Sequence, residues 1–381
     1  MIISIKDSLK LIAVAVICFC AVFVCTFMLN FYMDVLPLED EVSQASQLLF
    51  NAQIATAKFV AAISGGFLGA IAVVMTAFYI KLYVDGHAKQ LGILKAMGYS
   101  DLKLCIKFWI FGLCVLIGCV LGFAAGFLAI PYVYEGMRIE GMPDIPINFH
   151  PVLFICLVAV PPIVFAFVSC FIAYFKLRRP VGEMLKGLSK TKIKKQSRNE
   201  KCSKERSFLV EMGIKSVTTK KMLTFFIVFA SFCFSAMVQM GLSMDELTPG
   251  LMGKLILVIG LVLSAVVMVM AVTSLLNGNI KSVSMMKAFG YSLKECVLSV
   301  FTGYAPFALI GFVIGTAYQY GLLILMVNVI FKDVGEIPEY TFNVPVLFIT
   351  LAVFIICVAL VMSVCTFKIR KVSVKEVMQE S

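Results

Sequence analysis

A chain of 381 residues that is 61% hydrophobic and only 14% charged, with a mean hydropathy of +0.99, has too little polar surface to cover a soluble domain. Its formal charge of +11 does not point to nucleic acid, because residues 176–221 alone hold 15 Lys and Arg against four acids and the remainder sums to zero. These bounds describe a polytopic membrane protein with one basic loop.

Apolar runs long enough to cross about 30 Å of hydrocarbon as helices lie at 11–32, 58–80, 106–130 and 152–175, then at 223–243, 255–276, 296–318 and 346–367. The fold predicted is therefore all-α, with eight transmembrane helices. The first run is longer than the roughly 7 to 15 apolar residues of a secretory signal and no small-x-small cleavage site follows it, so it reads as a span. Placing the basic loop in the cytoplasm puts 29 of the 33 Lys and Arg inside, leaving Lys58, Arg138, Lys254 and Lys332 outside. Asp34, Glu39, Asp40, Glu41, Asp144 and Asp245 then lie among the outer acids, and both termini are cytoplasmic by the positive-inside rule. Twelve of the 13 Cys lie in or at the ends of spans and Cys202 lies in the basic loop, so no disulfide is expected.

Taken in order, the spans form two copies of one plan. Lys95-Ala-Met-Gly-Tyr-Ser100 returns as Lys287-Ala-Phe-Gly-Tyr-Ser292, Pro151-Val-Leu-Phe-Ile155 as Pro345-Val-Leu-Phe-Ile349, and Phe175-Lys-Leu-Arg178 as Phe367-Lys-Ile-Arg370. Four spans per half is an even number, so both halves enter from the same side and are parallel repeats. The expected organisation is a first half at 1–179, a basic cytoplasmic linker at 180–221 suited to anionic headgroups, and a second half at 222–381.

Between the second and third spans, Asp85 to Ser100 is too short and too charged to cross a membrane. Leu91, Leu94 and Met97 recur every third residue, with Ile93 four before Met97, which predicts an apolar stripe on a short helix. The second copy repeats it with Val283, Met286 and Phe289, plus Met285, and sets Lys281 and Lys287 where the first has Lys89 and Lys95. Gly98 and Gly290 fall where a left-handed residue ends a helix, and Ser100 and Ser292 fall where the next needs an N-cap. Ser292-Leu-Lys-Glu295 spells a capping box, and Asp101 favours the first turn of the earlier helix. A helix lying in the headgroup layer would also be amphipathic, but it would not need the same turn chemistry at the same point of both halves.

Lys89-Gln-Leu-Gly-Ile-Leu-Lys-Ala-Met-Gly98 resembles the segment between the second and third spans of the FtsX-like (MacB-type) ABC transporter permease family, and Lys281-Ser-Val-Ser-Met-Met-Lys-Ala-Phe-Gly290 is a weaker copy. Arg179-Pro-Val-Gly-Glu-Met-Leu185 is similar to the family's tail after the fourth span. The resemblance implies two permease halves fused in tandem, each with a cytoplasmic coupling helix that docks on a separate ABC ATPase. It assigns ATPase coupling to Lys89, Gln90, Leu91, Ile93, Leu94, Lys95, Met97 and Gly98, and to Lys281, Val283, Met285, Met286, Lys287, Phe289 and Gly290. The acid usual in this segment is Gln90 in one half and Ser282 in the other. The large outer domain of the best-known members is replaced by a loop of about 25 residues, Met33 to Ala57.

No G-x-x-x-x-G-K-[ST] loop occurs in this sequence, so ATP and Mg would be bound by the partner, with no cofactor in this chain and no catalytic role. His87 and His150 lack Cys, Asp or Glu partners at metal-ligand spacing, so no metal site is predicted. The span centres carry no charge; Gln319 and Asn328 are the nearest polar candidates, which disfavours a proton-coupled secondary transporter. The glycine series Gly65/Gly69, Gly118/Gly122/Gly126 and Gly311/Gly315 suits close helix packing, and Pro161, Pro162 and Pro306 suit kinks. The leading expectation is a permease in a bacterial cytoplasmic membrane, coupling two ATPases to export or extraction of a peptide or lipid-like amphipathic substrate. The alternative is a mechanotransmitter signalling to an extracellular enzyme or sensor kinase through a second membrane or extracellular partner.

Overall fold

The computed structural model describes residues 8–41, 47–137, 145–185, 208–247, 251–330 and 343–370, and among these every regular element is helical. Among the described residues, eight helices are long and apolar enough to cross a membrane. They extend past the apolar runs at nearly every end, because polar flanks continue a helix that hydropathy no longer reports.

In the first half, α1 (Ser8–Val35) ends where Pro37 disfavours helical backbone in the residue before it, and a 3₁₀ turn, Leu36–Glu41, follows. Helix α2 (Gln47–Gly86) absorbs eleven residues that the sequence assigns to the outer loop, so much of that loop is an extension of the second span. Then come α3 (Ala88–Ala96) and α4 (Asp101–Cys105), a 3₁₀ turn at Ile106–Trp109 and α5 (Ile110–Met137), the third span. The fourth span is α6 (Pro151–Phe154), a π turn at Ile155–Ala159 and α7 (Val160–Leu177). Neither Pro161 nor Pro162 has an N–H, so the carbonyls at 157 and 158 lose their helical donors, and the ladder widens at that point.

Past the short α8 (Val181–Leu185), the second half has α9 (Phe208–Thr219), α10 (Lys221–Leu247), α11 (Leu251–Ala288), α12 (Leu293–Ile330) and α13 (Val344–Arg370). Pro306 sits inside α12 without interrupting it. Residues 208–219, read from sequence as linker, are a helix that turns Gly213, Ser216 and Val217 inward at spacings of three and four. The linker positions 186–207 lie outside the described residues. Two compact units arise: Met1–Gly182 with Gly241–Leu263 and Tyr320–Asn343, and Glu183–Met240 with Ser264–Gln319 and Val344–Ser381.

Packing within each unit rests on bare backbone. A Cβ built on Gly118 would stand 2.4 Å from the carbonyl oxygen of Ala15, and one on Gly122 would stand 2.5 Å from that of Phe19. In the other unit the same relation joins Gly311 to Val228 at 2.2 Å and Gly315 to Phe232 at 2.5 Å. In each half, then, glycines four apart on the third span sit on carbonyls four apart on the first, closer than any side chain allows. Gly69 has nothing within 4 Å of its Cβ position, so only Gly65 of its pair, 3.3 Å from Cys25 Sγ, is used in packing. Helices α10 and α12 are also joined by Gln239 Nε2, which donates to Ser235 Oγ (3.0 Å) and to Thr316 Oγ1 (2.8 Å).

Candidate functional site

The repeated motif builds the same turn twice. Gly98 has φ +92° and Gly290 φ +91°, the left-handed backbone that a side chain disfavours. Tyr99 N donates to Leu94 O and Gly98 N to Lys95 O, and in the second copy Tyr291 N donates to Met286 O and Gly290 N to Lys287 O. These are the two bonds that close a helix on glycine. The next helix starts on serine: Lys103 N donates to Ser100 Oγ (3.3 Å), Glu295 N donates to Ser292 Oγ (3.3 Å), and Ser292 N donates back to a Glu295 carboxylate oxygen (2.9 Å). The capping box spelled by Ser292 and Glu295 is thus formed.

The apolar stripe resolves into two faces. Leu91 and Val283 are each 1% exposed, Met286 is equally buried and Leu94 half-buried, so these positions anchor the segment to its own unit. Ile93 (51%) and Met97 (69%) point outward, and so do their counterparts Met285 (43%) and Phe289 (76%). An outward apolar pair four residues apart, which is one helical turn, therefore recurs beside each glycine. Lys89 and Gln90 are exposed next to the first pair. The side chain of Lys281 lies outside the described residues.

The two copies differ upstream. At His87 (φ −108°, ψ 21°) the backbone leaves the helix, so α3 is separate from the second span; the imidazole stacks on Tyr83 at 4.3 Å. The equivalent position 192 residues later is Asn279, and there α11 runs on unbroken to Ala288. Asn279 is fully buried, its Nδ2 donating to Leu275 O (2.8 Å) and its Oδ1 accepting from Ser216 of α9 and from Lys220 Nζ (2.6 Å). Lys220 Nζ also donates to Gly278 O (2.7 Å), and burial pushes this ammonium below its usual range. A close approach of Gly213 and Gly303, with a Gly303 Cβ position 2.5 Å from Gly213 O, brings α9 onto α12.

Lys95 faces inward. Its Nζ donates to Leu177 O (2.7 Å) and Arg179 O (2.9 Å) at the end of the fourth span and pairs with Asp101 Oδ1 (2.8 Å) at the start of α4. Arg179 Nη1 donates in turn to Asp85 Oδ1 (3.0 Å). Lys287 is half-buried.

A model of the FtsX-like permease C-terminal family matches residues 62–180 and again 254–374. The chain belongs to the FtsX-like permease family. No curated protein and no solved structure matches it. As an FtsX-like permease it is a multi-pass membrane subunit of the ABC transporter permease type, with two copies of the family domain in tandem, and such permeases work with an ABC ATPase. Each matched region spans one motif turn, so the family domain contains the site twice.

At the opposite end of the first half the permease holds a carboxylate that the sequence reading places in an outer loop. Asp34 lies in the last turn of α1 and is 1% exposed. Tyr134 of α5 donates its hydroxyl to Asp34 Oδ2 (2.7 Å), and His150 Nε2 stands 2.9 Å from Oδ1. His150 is therefore not alone, as its sequence neighbours suggest; its partner is 116 positions away. Gln319 is buried and Asn328 exposed.

Proposed function

We propose that this permease couples ATP hydrolysis by two copies of a cytoplasmic ABC ATPase to the export or extraction of an amphipathic peptide or lipid-like molecule across a bacterial cytoplasmic membrane. The observation that carries the reading is the recurrence of Ile93/Met97 as Met285/Phe289, two outward apolar pairs fixed beside identical glycine turns. A large apolar side chain held in a polar, motif-bearing segment is what a hydrophobic docking cleft would take up. Two such pairs call for two docking partners. ATPase closure would then pull on residues 85–100 and 277–292 and tilt the spans attached to them. The halves 1–179 and 222–381 act as the two arms, with the basic stretch between them on the cytoplasmic side.

The test is reconstitution in lipid nanodiscs with the co-purified ABC ATPase. Wild type is expected to bind it, and Ile93→Ala with Met97→Ala, or Met285→Ala with Phe289→Ala, to weaken binding at least tenfold. No complex with wild type, or undiminished affinity in both double variants, overturns the reading. Full ATPase binding with no ATP-dependent cargo movement, and with a kinase or hydrolase retained, would instead favour mechanotransmission.

A further inference from the structure

The Lys95 ammonium donates to Leu177 O at 2.7 Å and to Arg179 O at 2.9 Å, and forms an ion pair with Asp101 Oδ1 at 2.8 Å. The side chain is only 12% exposed. A side chain so engaged is poorly placed to meet a partner protein without loosening contacts it already makes. It does have a place in three elements at once, since it belongs to α3, holds the last carbonyls of the fourth span, which a cation favours, and grips the first residue of the helix leading into the third span. The bond from Arg179 to Asp85 ties the same tail to the end of α2.

We propose that Lys95 is a positioning residue that yokes the first coupling helix to the third and fourth spans together, so that force delivered to α3 reaches the fourth span through this one ammonium. This rests on the docking function above. At His87 the backbone departs from helical φ/ψ, so α3 is a segment distinct from α2, and the Lys95 contacts tie it to the third and fourth spans. Two acids of this arrangement have no counterpart in the second half: Asp101 is replaced by Leu293 and Asp85 by Asn277. There the coupling residues continue the sixth span as α11, braced by Lys220 and Asn279. Force therefore enters the third and fourth spans in the first half, and the sixth and seventh in the second.

The experiment is hydrogen–deuterium exchange on the full permease in nanodiscs, alone and with its ABC ATPase trapped by ATP and vanadate. Without ATPase, Lys95→Met is expected to raise early uptake at least threefold in peptides covering 88–98 and 175–179. With ATPase, wild type is expected to change uptake across 151–160, where the π turn makes the fourth span yield. Lys95→Met should lose at least two thirds of that change while binding ATPase within twofold of wild type, and Lys95→Arg should restore it. Asp101→Asn, which removes one of the three partners, should do the same to a smaller degree and stands in if Lys95→Met cannot be purified.

Unchanged uptake at 88–98 and 175–179, or a full ATP-driven response at 151–160 in Lys95→Met, overturns the proposal. So does a loss of ATPase affinity equal to that of the Ile93/Met97 double variant, which would make Lys95 a docking residue. If wild type binds no ATPase, the docking function fails and the ATPase-free comparison alone decides the yoke.

Discussion

At the scale of single residues, the side chains that matter here are those whose partners lie far along the chain. Asp34 is a carboxylate buried where α1 leaves the apolar layer, and it persists because Tyr134 and His150 supply it with donors. Removing it strands both partners, so Asp34→Ala should cost about 3 kcal/mol and lower the thermal melting of the detergent-solubilised permease, with Asp34→Asn in between. Neither this cluster nor the Lys95 network was legible in the sequence. His150 is 116 positions from Asp34, and Lys95 is 82 from Leu177. No local pattern announces a pairing that only folding creates. The turn was legible, because Gly98, Ser100, Gly290 and Ser292 act on backbone within five residues of themselves. The apolar stripe was half legible: a spacing of three and four found the residues, but it could not tell Leu91, which faces in, from Met97, which faces out.

At the scale of elements, helix identity followed from length and hydropathy, whereas helix ends did not. Residues 47–57 and 277–288 are too polar to score as span, yet no proline or glycine turn stops the helix there, so α2 and α11 continue. The separate α3 and the unbroken α11 coincide with a change at one position, His87 against a buried Asn279 held by Ser216 and Lys220. Glycine spacing marked the helix contacts without ranking them. Gly118→Leu should drive a side chain into the Ala15 carbonyl and destabilise the permease by about 3 kcal/mol, whereas Gly69→Leu, with open space around it, should melt within a degree or two of wild type. Equal losses in the two variants would contradict the packing described.

At the scale of the whole molecule, duplication made the plan readable, since three anchors recur in order with nearly constant offset. Drift between the copies then carries the information that symmetry hides: the same turn is kept, but acids that brace the first copy are gone from the second. The orientation expected from sequence rests on charge, since eight spans as read there would put 29 of 33 Lys and Arg on the side that holds the basic stretch. A fluorescent-protein fusion after Ser381 should therefore glow in cells, and one inserted at residues 248–250 should stay dark; the reverse pattern would invert the topology and remove the coupling segments from ATPase reach.

The glycine seats of α5 on α1 have a consequence for amplitude. Because backbone rests on backbone, the pair cannot slip by rearranging side chains, and under the proposed function it would turn as one shaft. At about 1.5 Å per residue, the 28 residues of α5 make that shaft roughly 42 Å long. Pivoted at its Ile110 end, a tilt of about 10° would carry its far end ~7 Å sideways by this geometry, more than the ~4.7 Å spacing of extended peptide chains. Under the proposed function, a stroke too small to disturb the near membrane surface would be geared up into a gap wide enough for one extended chain at the other.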